Sequence, residues 1–218
     1  MLIVAALGLA GLAGVQVVRW SRHRVDSLGR VQPFPTVTVA LCAVIGLACM
    51  TPVLLHVRLE QRLSTASSQV AGVDVRVDCQ GFGGAFVDVT ADLGHVAFDP
   101  DGVPERETTI KWQQCRHVSA WLRSASAAPS HDQVVAVHVV THEAMHMRGI
   151  TDESAAECAA VQRLSVMAQT LGAQPDDAAA LARRYWTEVY PEQRAEYRST
   201  DCTAGGDLDE HLPGAPWS

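Results

Sequence analysis

Lysine is all but missing from this 218-residue chain: Lys111 is the only one, whereas arginine is plentiful. The net charge is −7 and no basic patch stands out, which excludes a general nucleic-acid binder. We attribute the arginine bias to genome composition rather than to function. No two cysteines have the C-x-x-C spacing, which argues against a cysteine metal site. Internal repeats and long low-complexity segments are also missing. The length suits one modest globular domain plus additional segments, with enough chain to build a core.

Charge itself is scarce in the first quarter. Leu2 to Val18 carries none over 17 residues, and Val37 to Val57 carries none over 21 if His56 is neutral. The second run is long enough to cross a bilayer and the first is at the short limit. The first run lacks a positive segment ahead of it, so it reads as a span rather than a cleaved signal peptide. Between the runs lie Arg19, Arg22, Arg24 and Arg30 against a single Asp26. Arginine in a short loop favours the cytoplasmic side. The expectation is a multi-pass membrane hairpin, residues 1–57, contacting lipid and leaving both ends on the extracytoplasmic side.

Four cysteines, Cys79, Cys115, Cys158 and Cys202, lie beyond the spans, and an even number in an exported domain suggests two disulfides. Of the three possible pairings, sequence proximity favours Cys79–Cys115 and Cys158–Cys202. Cys42 and Cys49 lie within the second span as small apolar fillers.

Residues 58–72 read as a short polar stalk. Val73 to Cys79 alternates apolar and polar, the mark of a half-buried strand. Ala85 to Val89 and His95 to Phe98 read as a hairpin, and "PDGVPE" as a turn or loop. Helices follow. The spacing of Ile110, Val118, Trp121 and Leu122 predicts one over Thr108 to Ser124. Ser130 with Gln133 forms a capping box that starts the next near His131, and Gly149 ends it after Arg148. Thr151 can cap a third, running to about Leu171, and Asp176 to Val189 forms a fourth. The tail, 201–218, is loop-like. The expected class is α+β: about three strands, then four helices, after the membrane hairpin.

The stretch across the second and third of these helices carries the chemistry. "VVTHEAMHMRGITDESAAEC", Val139 to Cys158, places His142 and His146 four apart, so on a helix they share a face and can aim imidazoles at one ion. Glu143 projects beside them, where it can act as general base and then acid on a water. From 9 histidines and 10 glutamates, H-E-x-x-H arises by chance about 0.02 times in such a chain. His138, one turn earlier, reads as flanking the pocket rather than as a ligand. His95 and His117 read as surface or structural.

The segment resembles the zincin metallopeptidases, which carry H-E-x-x-H on an active-site helix. The resemblance covers about Val73 to Leu171 and is closest to a minimal gluzincin. It is also similar to membrane-anchored proteins of high-GC bacteria with a motif of the type H-E-x-x-H-x-x-G-x-x-D-E. It implies a zincin-like domain over residues 73–200 and a zinc ion held by His142, His146 and a third ligand. In gluzincins that ligand is a glutamate on the following helix, with an acidic residue four positions on that hydrogen-bonds a zinc histidine. Glu153 and Glu157 reproduce the pair. The metzincin pattern would instead choose Asp152, after Gly149. Those enzymes need a methionine turn, and beyond the extended motif the only methionine, Met167, falls inside a predicted helix.

The resemblance further implies a peptide or protein substrate, laid as an added strand along a sheet edge that residues 85–98 can supply. It also implies an oxyanion-stabilising residue, for which Tyr185, Tyr190, Tyr197 and His211 are all candidates. The expected function is a membrane-anchored, extracytoplasmic zinc metallopeptidase. The alternative is a zincin-like, disulfide-stapled envelope module with weak or no catalysis, which an absent oxyanion partner would favour.

Overall fold

A computed structural model describes residues 2–25, 28–81, 83–84, 93–124 and 128–217, and it divides into two units, Met1–Arg58 and Leu59–Ser218. The first holds α1 (Leu2–Arg22) and most of α2 (Thr36–Ala71). Both helices are long and apolar enough to cross a membrane. Their apolar side chains point outward, as Val4, Val37 and Leu47 do, which is the reverse of a buried core helix.

The second unit starts inside α2. The expected stalk is the end of this helix, and Leu63, Ala66, Val70 and Ala71 are buried in the core. Two of its serines, Ser64 and Ser68, meet strand β1 (Arg76–Cys79) and the residue before it. Glu60, Ser64 and Ser68 are four apart and so share a face. Glu60 Oε1 accepts from the Cys79 N–H (2.9 Å), Ser64 Oγ from Val77 (2.9 Å) and Ser68 Oγ from Val75 (3.0 Å). The helix thereby satisfies the backbone donors along one edge of β1, groups that would otherwise be left open for pairing.

The sheet has the order β1-β3-β2, with β2 at Gly94–Phe98 and β3 at Pro104–Ile110. β1 runs parallel to β3 (Val77 opposite Thr108), and β2 antiparallel (Val96 opposite Thr108). Val77, Val96, Thr108 and Ile110 form its buried face. β3 corrects two expectations. "PDGVPE" turns only as far as Val103, where Asp99 Oδ1 accepts from the Asp101 and Val103 N–H groups and Gly102 takes φ +77°. The helix expected from Thr108 begins at Trp112. As the middle strand, β3 has ladder partners on both sides, and this outweighs the weak helical spacing. The hairpin is therefore β2–β3. The strand expected at Ala85 to Val89 lies outside the described residues.

The helices are α3 (Trp112–Arg123), α4 (His131–Arg148), α5 (Glu153–Thr170) and α6 (Pro175–Arg184), which continues into a π-turn, Tyr185–Val189. α4 is valine-rich yet helical, because both ends are fixed. Ser130 and Gln133 form the reciprocal capping box (3.3 and 2.9 Å), and Gly149 closes the other end at φ +115°. It is buried nearly all round, between the sheet, α3 and α5. Both expected disulfides form: Cys79–Cys115 ties β1 to α3, and Cys158–Cys202 ties the tail to α5. The tail also docks through Arg163, which meets the Glu210 carboxylate with two nitrogens (2.6 and 2.5 Å).

If α2 is part of the core, Leu63→Ala lowers the stability of the full-length protein by about 2–5 kcal/mol. Thermal unfolding in detergent measures this. An unchanged unfolding temperature would mean that residues 59–71 are a stalk after all.

Candidate metal centre

One turn of helix separates His138 from His142 and His142 from His146, so the three form a column along one face of α4. Glu153 and Glu157, likewise four apart, face them from α5. The chain returns so quickly because Gly149 reverses it in a left-handed turn. α5 then begins at Glu153, three residues after Ile150. Asp152, rather than Thr151, caps α5: its Oδ1 accepts from the Ala155 N–H and the Ser154 hydroxyl, both at 2.8 Å. Those bonds, the Ala155 backbone bond foremost, lower the carboxyl pKa.

Among the described residues, two groups bring potential ligand atoms within 4.8 Å of one another: His142, His146 and Glu153, and His138, His142 and Glu157. Either group can hold a metal ion. In the first, His142 Nε2 and His146 Nε2 lie 3.0 Å apart, and Glu153 Oε2 lies 3.2 and 3.3 Å from them. Ligands about 2.0–2.1 Å from a tetrahedral ion are separated by about 3.3 Å. In the second, Glu157 is already occupied. Its Oε1 accepts from the Tyr185 hydroxyl (2.6 Å) and its Oε2 from His138 Nε2 (2.8 Å).

The donor chemistry says more than the distances. His146 Nδ1 donates to the Ile150 carbonyl at 2.7 Å. His142 Nδ1 lies 3.0 Å from Glu157 Oε2, in contact though off the line of an ideal hydrogen bond. The proton on His146 Nδ1 leaves its Nε2 with a lone pair, and a His142 tautomer protonated at Nδ1, toward Glu157, presents a second. Two lone pairs and a carboxylate oxygen then face one another at about 3 Å, an arrangement that a cation among them stabilises.

In the metal-free protein that cation is a proton. Burial opposes an imidazolium at His142, but the Glu153 and Glu157 carboxylates in contact with it and the nearby Glu143 prevail and raise its pKa to about 10. Burial, and then the charge on His142, push His146 the other way. The hydrogen bond to His142 holds Glu153 below its ordinary value even though burial works against ionisation. Burial would likewise raise Glu157, but His138 and His142 overcome it and keep the carboxyl far below the usual carboxylate range.

These groups open into a cleft of about 520 Å³. Glu143 lines it and is buried, packed over the backbone of β2. A Cβ added at Gly94 would come within 2.6 Å of Glu143 Oε1 and 2.8 Å of its Cδ and Cγ. A side chain at position 94 would therefore press on this carboxylate arm and displace it. β2 forms one wall, with Phe98 exposed at its end and Leu93 exposed just before it, and Gln193, Arg194 and Tyr197 form another. His95 sits exposed on the rim, while His117 lies on α3, away from the cleft lining. Of the four oxyanion candidates only Tyr197 reaches the cleft, its ring 5.6 Å from that of His142. Arg194 lies over the Tyr197 ring and donates to its hydroxyl at 3.2 Å. Tyr185 is buried on Glu157, Tyr190 accepts from the Ser199 N–H, and His211 is exposed beside Asp209. Sequence reasoning missed Gly94, Gln193 and Arg194, which carry no motif and lie some 50 residues to either side of the histidines.

Comparison of the chain with protein-family models, with curated proteins and with solved structures returns no match.

Because His142 is protonated below about pH 10 in the metal-free protein, metal binding at pH 8 releases about one proton. Calorimetry of zinc binding to the full-length protein, in buffers of different ionisation enthalpy, measures it. Binding without proton release would contradict this assignment of the charge.

Proposed function

We propose that this chain is a membrane-anchored zinc metallopeptidase whose second unit works on the extracytoplasmic side. The convergence of His142, His146 and Glu153 on one point, with Glu143 alongside in an open cleft, carries the reading. Of the two groups we assign the metal to this one, because it lies in the open cleft and its carboxylate is held only by the two histidines, whereas Glu157 is also held by Tyr185. Asp152 is committed to capping α5.

A zinc ion bound there supplies Lewis acidity, making water a nucleophile near neutral pH. The chain's own residues do the rest. Glu143 takes the proton of the attacking water and passes it to the leaving amine, and its seat on Gly94 holds it beside the metal ligands. Tyr197, the one candidate hydroxyl at the cleft, donates to the developing oxyanion, with Arg194 polarising that hydroxyl. The presence of this partner favours the enzyme over the catalytically inert module. A peptide lies along β2, where Phe98 at its end and Leu93 just before it offer apolar contact to its side chains.

The two disulfides fit an oxidising compartment. The arginine-rich loop between the apolar helices fits the cytoplasmic face, which places both ends of the hairpin outside. The outward apolar side chains of α1 and of the first part of α2 take the lipid contact.

The full-length protein is expected to purify with about one zinc per chain. Metal analysis should show it lost in His146→Ala and Glu153→Ala and retained in Asp152→Ala. Hydrolysis of a peptide library should fall by about 10²–10⁴-fold in Glu143→Gln with zinc still bound. Gly94→Ala, which displaces the same carboxylate arm, should also keep its zinc and lose activity. Zinc-loaded wild type that cleaves nothing in a broad library, or a Glu143→Gln variant as active as wild type, would overturn the peptidase reading.

A further inference from the structure

His138 and Tyr185 are both buried, and their rings stack with centroids 3.6 Å apart and planes 14° apart. They come from different elements: His138 from α4, and Tyr185 from the first position of the π-turn after α6. Both point at one carboxylate. His138 Nε2 takes Glu157 Oε2 at 2.8 Å, and the Tyr185 hydroxyl takes Oε1 at 2.6 Å. The tyrosine oxygen in turn accepts from Gln193 Nε2 at 3.0 Å, and Gln193 lines the cleft.

As packing alone, His138 is a poor choice. Its Nδ1 is buried with no hydrogen-bond partner among the described residues, and an unsatisfied buried polar atom is destabilising. What offsets that loss is the bond its other nitrogen makes. A carboxylate gripped by one donor can still rotate about its terminal torsion. Gripped at both oxygens from two elements, it is fixed in plane. Oε2 then stands 3.0 Å from His142 Nδ1, in contact though off the line of an ideal hydrogen bond, so its position bears on where His142 Nε2 points.

We propose that the stacked His138–Tyr185 pair is a positioning device for the metal ligand His142, acting through Glu157, with Gln193 extending the chain of hydrogen bonds to the cleft wall. The inference rests on the metal-centre reading above. It assigns His138 and Tyr185 no contact with metal or substrate. Their role is to hold the carboxylate that aims the ligand.

The test is zinc affinity of the full-length protein in detergent, measured by competition with a chelator, together with the unfolding temperature of the metal-free protein. Tyr185→Phe keeps the ring stack and removes one grip. It should weaken zinc binding by about 10-fold with little change in the metal-free unfolding temperature. His138→Gln keeps an amide donor in place of Nε2–H and should bind zinc more tightly than His138→Ala; it also serves if Tyr185→Phe does not fold. In a Glu157→Ala background, which removes both oxygens, Tyr185→Phe should have no further effect, because its influence passes through that carboxylate. Zinc affinity equal to wild type in Tyr185→Phe, or the same loss in both backgrounds, would overturn the proposal. A wild-type chain that binds no zinc would instead overturn the metal centre itself, and this inference with it.

Discussion

Two imidazole nitrogens and a carboxylate oxygen, held within about 3.3 Å of one another, form a cluster that a cation among them stabilises. The local design of the second unit serves to hold that arrangement. α4 is capped at both ends and enclosed on nearly every side, so its histidines have one place to point. Gly149 and Asp152 reduce the connection to α5 to a few residues, which brings Glu153 to the histidines at the first position of the helix. Behind them, the Ile150 carbonyl and Glu157 take the Nδ1 side of each ring. Such outer partners decide tautomer and direction, and they matter to a metal site almost as much as its ligands do.

The scaffold around this centre is economical. A helix that starts as an apolar segment ends as part of the core and as the cover of a sheet edge, with Glu60, Ser64 and Ser68 taking the β1 donors in turn. β3 joins β1 and β2, and β2 lays its backbone against Glu143 closely enough that a methyl group at position 94 would displace its carboxylate arm. One disulfide fixes each flank: Cys79–Cys115 on the sheet side, Cys158–Cys202 on the tail side.

Legibility in the sequence followed the range of the interactions. α4 and α5 were readable because caps and i, i+4 pairs are local: Ser130 with Gln133, Gly149, His142 with His146, Glu153 with Glu157. The apolar helices were readable from their length. β3 was not, since only Thr108 and Ile110 of its seven residues turn inward and the rest is polar. Its state is decided by two neighbouring strands, which local spacing does not reveal. The end of α2 was hidden for a related reason: serines that bond a strand's backbone look the same in sequence as serines in water. The far wall of the cleft, Gln193, Arg194 and Tyr197, comes from a segment with no periodicity of its own, brought in by the π-turn after α6.

Zinc K-edge X-ray absorption on the full-length protein, loaded with one equivalent of zinc, tests the centre most directly. The account predicts two imidazole nitrogens with only oxygen completing the shell, at about 2.0–2.1 Å and without sulfur. A third imidazole, which would bring His138 into the shell, or a sulfur ligand would contradict it, as would a spectrum unchanged in His146→Ala.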